Sequence, residues 1–176
     1  MRDVANVYGG DEAQEVNART GCIGCPLASQ DKALRGVVRQ AEWAYLEPLL
    51  RLKPLYEELS FHHIHRIRKA GGERRKDGTL SKNQQRVGPL TMDARRYGLE
   101  TVLGVQREIN EAAERLGRPS IDLIDAEEEA RIRQLIAANT WPDGWDGTEP
   151  PGDALLDQVF SDGVVQPLLV EGINAD

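Results

Sequence analysis

Cysteine is scarce in this chain: Cys22 and Cys25 are the only two in 176 residues. A small exported domain stapled by disulfides needs more than one pair, so these thiols read as ligands or redox groups of a reducing compartment. Aromatic residues are also few, 5% against 40% hydrophobic. That argues against a large aromatic-cored sandwich or barrel and fits a modest, aliphatic, helix-rich core. No apolar run approaches the ~20 residues that cross a bilayer. Residues 1–15 hold no apolar stretch of the signal-peptide kind. A cytoplasmic protein without a membrane partner is the expectation. Several chemistry-bearing signatures are missing as well. There is no Walker-type phosphate loop, no dinucleotide GxGxxG turn, no Ser-Gly-Gly-x-Asp-Ser loop for gripping pyrophosphate and no GxSxG elbow.

Charge is present in quantity but divided. The net value of −7 combines residues 120–176, with 13 acids and 2 bases, and residues 1–119, with 16 acids and 20 bases. A basic body thus carries an acidic C-terminal third. Such asymmetry points to an anionic partner for the body.

Periodicity predicts a mainly α protein in three parts. Residues 1–30 are rich in Gly and other turn formers and read as an irregular segment bearing the CxxC. Residues 31–140 read as a helical domain. Leu34, Val37, Val38 and Ala41 recur at three- and four-residue steps, as one buried helix face requires. A second helical stretch covers about residues 42–61, where Pro48 and Pro54 should each start a new helix or kink the old one. Residues 62–88 interrupt the pattern as a long basic loop, with eight Lys/Arg against two acids from Arg66 to Arg86. Thr91 is the expected N-cap of a helix running to about residue 116, stopped by Gly117 and Pro119. Asp125 with Glu128 three residues later predicts a capping box and a short helix to about residue 138, closed by Trp141-Pro142. Residues 141–176 read as an acidic, Pro/Gly-rich tail.

The most specific local motif is Gly21-Cys22-Ile23-Gly24-Cys25-Pro26. Two thiolates three positions apart in a glycine-containing turn can face one metal ion or one edge of a cluster. Zinc and a four-iron cluster each want about four protein ligands, and this chain brings two cysteines. His62, His63 and His65 are too closely spaced to complete a zinc finger. A redox pair or two unliganded thiols are the alternatives. In the basic loop, Arg66, Arg68, Arg74, Arg75 and Lys76, with Arg95 and Arg96 beyond it, are candidates for holding phosphates, because guanidinium forks match phosphate oxygens. A solvated charged loop, or one paired with the chain's own acidic third, is the bland alternative. No aromatics interleave with these charges, so stacking of single-stranded bases has no support. Glu127-Glu128-Glu129 suits the dipole of a helix start. Trp43, Trp141 and Trp145 read as core or docking anchors.

A run of short motifs carries a resemblance. Their order is Tyr8-Gly9-Gly10-Asp11, Arg19-Thr20-Gly21-Cys22-Ile23-Gly24-Cys25, Asp31-Lys32-Ala33-Leu34 and Glu42-Trp43 with Leu46-Glu47-Pro48-Leu49. Gly88-Pro89-Leu90-Thr91 with Ala94-Arg95-Arg96 follows, then Glu127-Glu128-Glu129 with Ile132-Arg133. Over about residues 7–140 the chain resembles the C-terminal half of the PAPS reductase-like (phosphoadenosine phosphosulfate reductase) proteins. Within that family it is most similar to the Dnd-type, ATP-using sulfurtransferase subunit of DNA phosphorothioation. The resemblance implies that Cys22 and Cys25 help hold an iron–sulfur (4Fe-4S) cluster. It also implies that Arg95 and Arg96 lie near nucleotide or DNA phosphate.

The chain departs from that family in lacking the pyrophosphate-gripping half and at least two cluster ligands. The expectation is therefore part of a sulfur-transfer enzyme, inactive as this polypeptide alone, with a nucleotide-binding domain or chain and DNA as partners. A homo-oligomer pooling its cysteines is the other way to complete a cluster. Two alternatives stand beside it: a sulfonucleotide reductase of sulfate assimilation, and a non-catalytic helical adaptor whose CxxC is a zinc half-site or inert.

Overall fold

The computed structural model describes residues 31–72, 74–81, 83–154, 157–160 and 162–166. The CxxC segment, with Cys22 and Cys25, lies outside the described residues. In chain order the elements are α1 (Lys32–Val38), a 3-10 helix (Ala44–Arg51), α2 (Leu52–Phe61) and a 3-10 turn (His63–His65). They continue with α3 (Met92–Leu116), α4 (Ala126–Ala137), β1 (Gln158–Val159) and β2 (Val165–Gln166). The described chain is mainly α. Its one sheet is the antiparallel β1–β2 pair, with Val159 opposite Val165. None of the described helices is long and apolar enough to cross a membrane.

Two compact units emerge, residues 31–61 with 96–134 and residues 62–95 with 135–166. In the first, Leu34 from α1, Tyr45 and Leu49 from the 3-10 helix and Leu52 from α2 pack with Val105, Ile109 and Ala113 of α3. The four-residue steps of that α3 set place all three side chains on one stripe. The two prolines explain why residues 44–61 are not one α-helix. Pro48 sits inside the 3-10 helix, whereas Pro54 falls in the first turn of α2, where amides have no intrahelical acceptor to lose.

Helix ends in this unit follow local chemistry. The amide of Arg118 donates to the carbonyl of Ala113 across Gly117, whose φ is 60°. That is the left-handed stop glycine favours. Asp125 and Glu128 form the reciprocal box, the Glu128 amide to Asp125 Oδ1 at 2.8 Å and the Asp125 amide to Glu128 Oε2 at 3.2 Å. Between these helices α3 braces the connection directly. Gln106 Oε1 accepts the amides of Leu123 and Ile124, and Asn110 exchanges two bonds with Ile121.

The second unit is built on residues 65–68. This short extended stretch is clasped between residues 88–91 and 150–152, with isolated pairings of Arg66 with Leu90 and Ile67 with Pro151. The Ile67 amide donates to the Pro89 carbonyl at 3.0 Å and the Arg68 amide to the Pro150 carbonyl at 2.9 Å. The Gly152 amide donates to the Arg66 carbonyl at 2.7 Å. The base of the basic loop is thus paired backbone, because the acidic segment returns to supply its hydrogen-bond partners. At the other end of the unit, Asn139 takes φ 49° and Thr140 donates to the Leu135 carbonyl, so α4 closes before Trp141 is reached.

Candidate functional site

Only some of the cations nominated by the sequence face solvent. Arg68 is 0% exposed. Its guanidinium donates to Gln85 Oε1 and to the carbonyls of Gly152 and Ala154. Burial lowers its pKa, and the nearby Asp153 carboxylate opposes that shift. Arg68 is therefore tied to the chain's own acceptors, 84 and 86 positions away for the two carbonyls. Arg95 is half-buried. It donates to the carbonyls of Leu90 and Thr140, and burial lowers its pKa too. Arg96 is exposed on α3.

Arg74, Arg75 and Lys76 form an exposed hairpin tip. Arg74 pairs with Leu80, the Arg75 amide donates to the Thr79 carbonyl at 2.8 Å, and the Gly78 amide returns to the Arg75 carbonyl at 2.9 Å. Asp77 Oδ1 accepts the amide and the hydroxyl of Thr79, which holds its carboxyl below the usual range. A negative charge is therefore fixed inside the turn, the Arg74 guanidinium donates to the Gly78 carbonyl at 2.9 Å, and Arg75 and Lys76 are exposed beside it.

Two tryptophans recur in the same arrangement within this unit. Lys69 Nζ lies 4.2 Å from the ring centroid of Trp145, and the Arg95 guanidinium lies 4.6 Å from that of Trp141. Each indole also rests on a glycine. A Cβ on Gly88 would come within 3.0 Å of three Trp145 ring atoms, and one on Gly147 within 3.0 Å of three Trp141 atoms. Both rings are therefore held by a backbone with no side chain and by a cation attracted to the π-face. Lys69 is further fixed by the carbonyl of Gly144 and by Glu149 Oε1 at 2.6 Å. That ammonium, with lesser help from backbone amides, lowers the Glu149 pKa.

A cavity of about 400 Å³ opens beside Trp145, lined by Arg66, Lys69, Arg86, residues 87–89 and Pro142. Arg66 Nε donates to the Gly88 carbonyl at 2.8 Å, which ties its guanidinium to that backbone. The sequence marks Arg66 and Arg86 as parts of one basic loop but does not show the approach of Trp145 to them. The Trp141-Pro142-x-x-Trp145 spacing was the available signal.

Among the described residues, no three His, Cys, Asp or Glu side chains gather in a group able to hold a metal. His62 and His65 have ring centroids 6.5 Å apart, with no such third ligand described. No family model matches the sequence, and comparison with curated proteins and with solved structures likewise found no match.

Proposed function

We propose that this chain is the DNA-contacting, cluster-bearing portion of a PAPS reductase-like sulfur-transfer complex. The observation that carries the reading is the hairpin tip, where Arg74, Arg75 and Lys76 are exposed together on a turn held by the Asp77–Thr79 bonds and by the Arg74 guanidinium, which donates to the Gly78 carbonyl at 2.9 Å. Adjacent cations on a rigid turn suit a phosphate backbone, which offers closely spaced charges and releases counterions when neutralised. In this reading the chain positions the acceptor phosphate. ATP-dependent activation and sulfur delivery belong to a nucleotide-binding domain or chain. Cys22 and Cys25 supply part of the ligand set of an iron–sulfur cluster.

Fluorescence anisotropy with a duplex DNA across a salt series tests the reading. Replacing Arg74, Arg75 and Lys76 together by Ala should weaken binding and lower the slope of log K against log salt by roughly three. An unchanged slope and affinity would remove the tip from DNA contact, and absence of DNA binding by the intact chain would favour sulfonucleotide reduction. Iron and sulfide in equal amounts after anaerobic purification, lost on Cys22→Ser/Cys25→Ser, would support the cluster. Zinc would instead favour the adaptor reading. One feature speaks for that second reading: Lys69 and Arg68 are bound to the chain's own acidic segment.

A further inference from the structure

We infer that the cavity beside Trp145 binds a small phosphate monoester with a planar or apolar body. Its lining combines cationic and apolar side chains. Arg66, Lys69 and Arg86 bring three cations to the lining, and Glu149, itself not a lining residue, pairs with Lys69 at 2.6 Å. Opposite character comes from Val87, Pro89, Pro142 and the Trp145 indole. Arginine forks match the oxygens of a phosphate, and the charges of two of them suit a dianion. The apolar side chains add nothing for inorganic phosphate alone but suit an organic group esterified to it. The volume of about 400 Å³ lies in the usual range of small-ligand sites, ~300–1,000 Å³.

Part of the lining is held before any ligand arrives. Trp145 is fixed between Lys69 and the Gly88 backbone, and Gly88 in turn holds Arg66 through its carbonyl. Glu149 anchors Lys69 while contributing no lining atom of its own. Such preorganisation lowers the entropy lost on binding. This inference goes beyond the DNA reading and does not depend on it. Arg74 to Lys76 do not line the cavity, and Arg66 alone belongs to both candidate sets.

Calorimetric titration of the full chain with phenyl phosphate, inorganic phosphate and phenol tests it. Phenyl phosphate should bind about tenfold more tightly than inorganic phosphate, and phenol should not bind detectably. Arg86→Gln, at an exposed position, should weaken phenyl phosphate about tenfold through loss of one charge-assisted contact. In an NMR titration, the indole N–H signal that is absent from Trp145→Phe should be the one that moves. The Arg74/Arg75/Lys76 triple variant should keep full phenyl phosphate binding even where DNA binding falls. Failure of phenyl phosphate to bind, equal affinity for inorganic phosphate, or unchanged binding by Arg86→Gln would each overturn the inference.

Discussion

Trp145 lies so close to the backbone of Gly88 that no other residue type fits at position 88 without moving the ring. That contact joins two segments far apart in sequence and sets one wall of the basic cavity. Gly88→Ala should therefore destabilise the protein by about 2 kcal/mol, the usual cost of overpacking. It should also shift tryptophan fluorescence. The control is Gly36→Ala in α1, where a Cβ meets nothing within 4 Å. That change should be neutral or add up to about 1 kcal/mol, because alanine favours helix. Urea unfolding of both variants checks the pair, and equal effects would remove the contact from its role.

Arg68 should be the most sensitive charged position. Arg68→Met keeps much of the volume but leaves the Gly152 and Ala154 carbonyls and the Gln85 amide oxygen without their donor. The expected loss is about 3 kcal/mol in chemical denaturation. Arg68→Lys should recover only part of it, since one ammonium lacks the planar fork that spans separate acceptors. Full recovery by Lys would mean that charge alone, and not fork geometry, holds the segment.

The brace from α3 to the 121–124 connection makes a separate prediction. Asn110→Ala removes both bonds with Ile121 and leaves that residue's amide and carbonyl unpaired in a half-buried site. A loss of about 1–2 kcal/mol is expected, with faster hydrogen exchange at the Ile121 amide. Exchange unchanged at Ile121 would show that the packing of Ile121 and Leu123 on the core suffices.

Acid should release the Lys69–Glu149 contact. The Glu149 carboxyl has a folded-state pKa below its ordinary value. Its stabilisation is therefore complete above the ordinary glutamate range and is lost as pH falls through the lower folded value. The melting-temperature gap between the wild type and Glu149→Gln should be constant near neutrality and close on acidification. A gap that persists in acid would assign the effect to hydrogen bonding by the neutral group.

Local signals were legible because each acts within one helical turn. The Asp125–Glu128 box, the Gly117 stop and the Thr91 cap, whose Oγ1 accepts the Ala94 amide at 3.1 Å, stand where three- and four-residue spacing puts them. The prolines at 48 and 54 likewise announced a break, although their different outcomes, 3-10 at one and α at the other, depend on position within the turn. The end of α4 was less legible. Trp141-Pro142 looked like the stop, whereas Asn139 in the left-handed region ends the helix first. Asparagine tolerates that conformation through its short polar side chain, a weaker signal than glycine or proline.

The candidate site was legible only as composition. Eight cations between Arg66 and Arg86 marked a basic stretch, but nothing in their spacing separated buried Arg68 from exposed Arg74, Arg75 and Lys76. Which cation points inward depends on where residues 150–154 return, and that return is set by pairings such as Ile67 with Pro151. The sequence by itself determined the mainly α character, the helix caps and the divided charge, since each follows from near neighbours or from composition. Tertiary structure alone decided the placement of Trp145 on Gly88, the pairing of Lys69 with Glu149 and the cavity between them. Those contacts join residues 57 to 80 positions apart, and short-range periodicity carries no information over such separations.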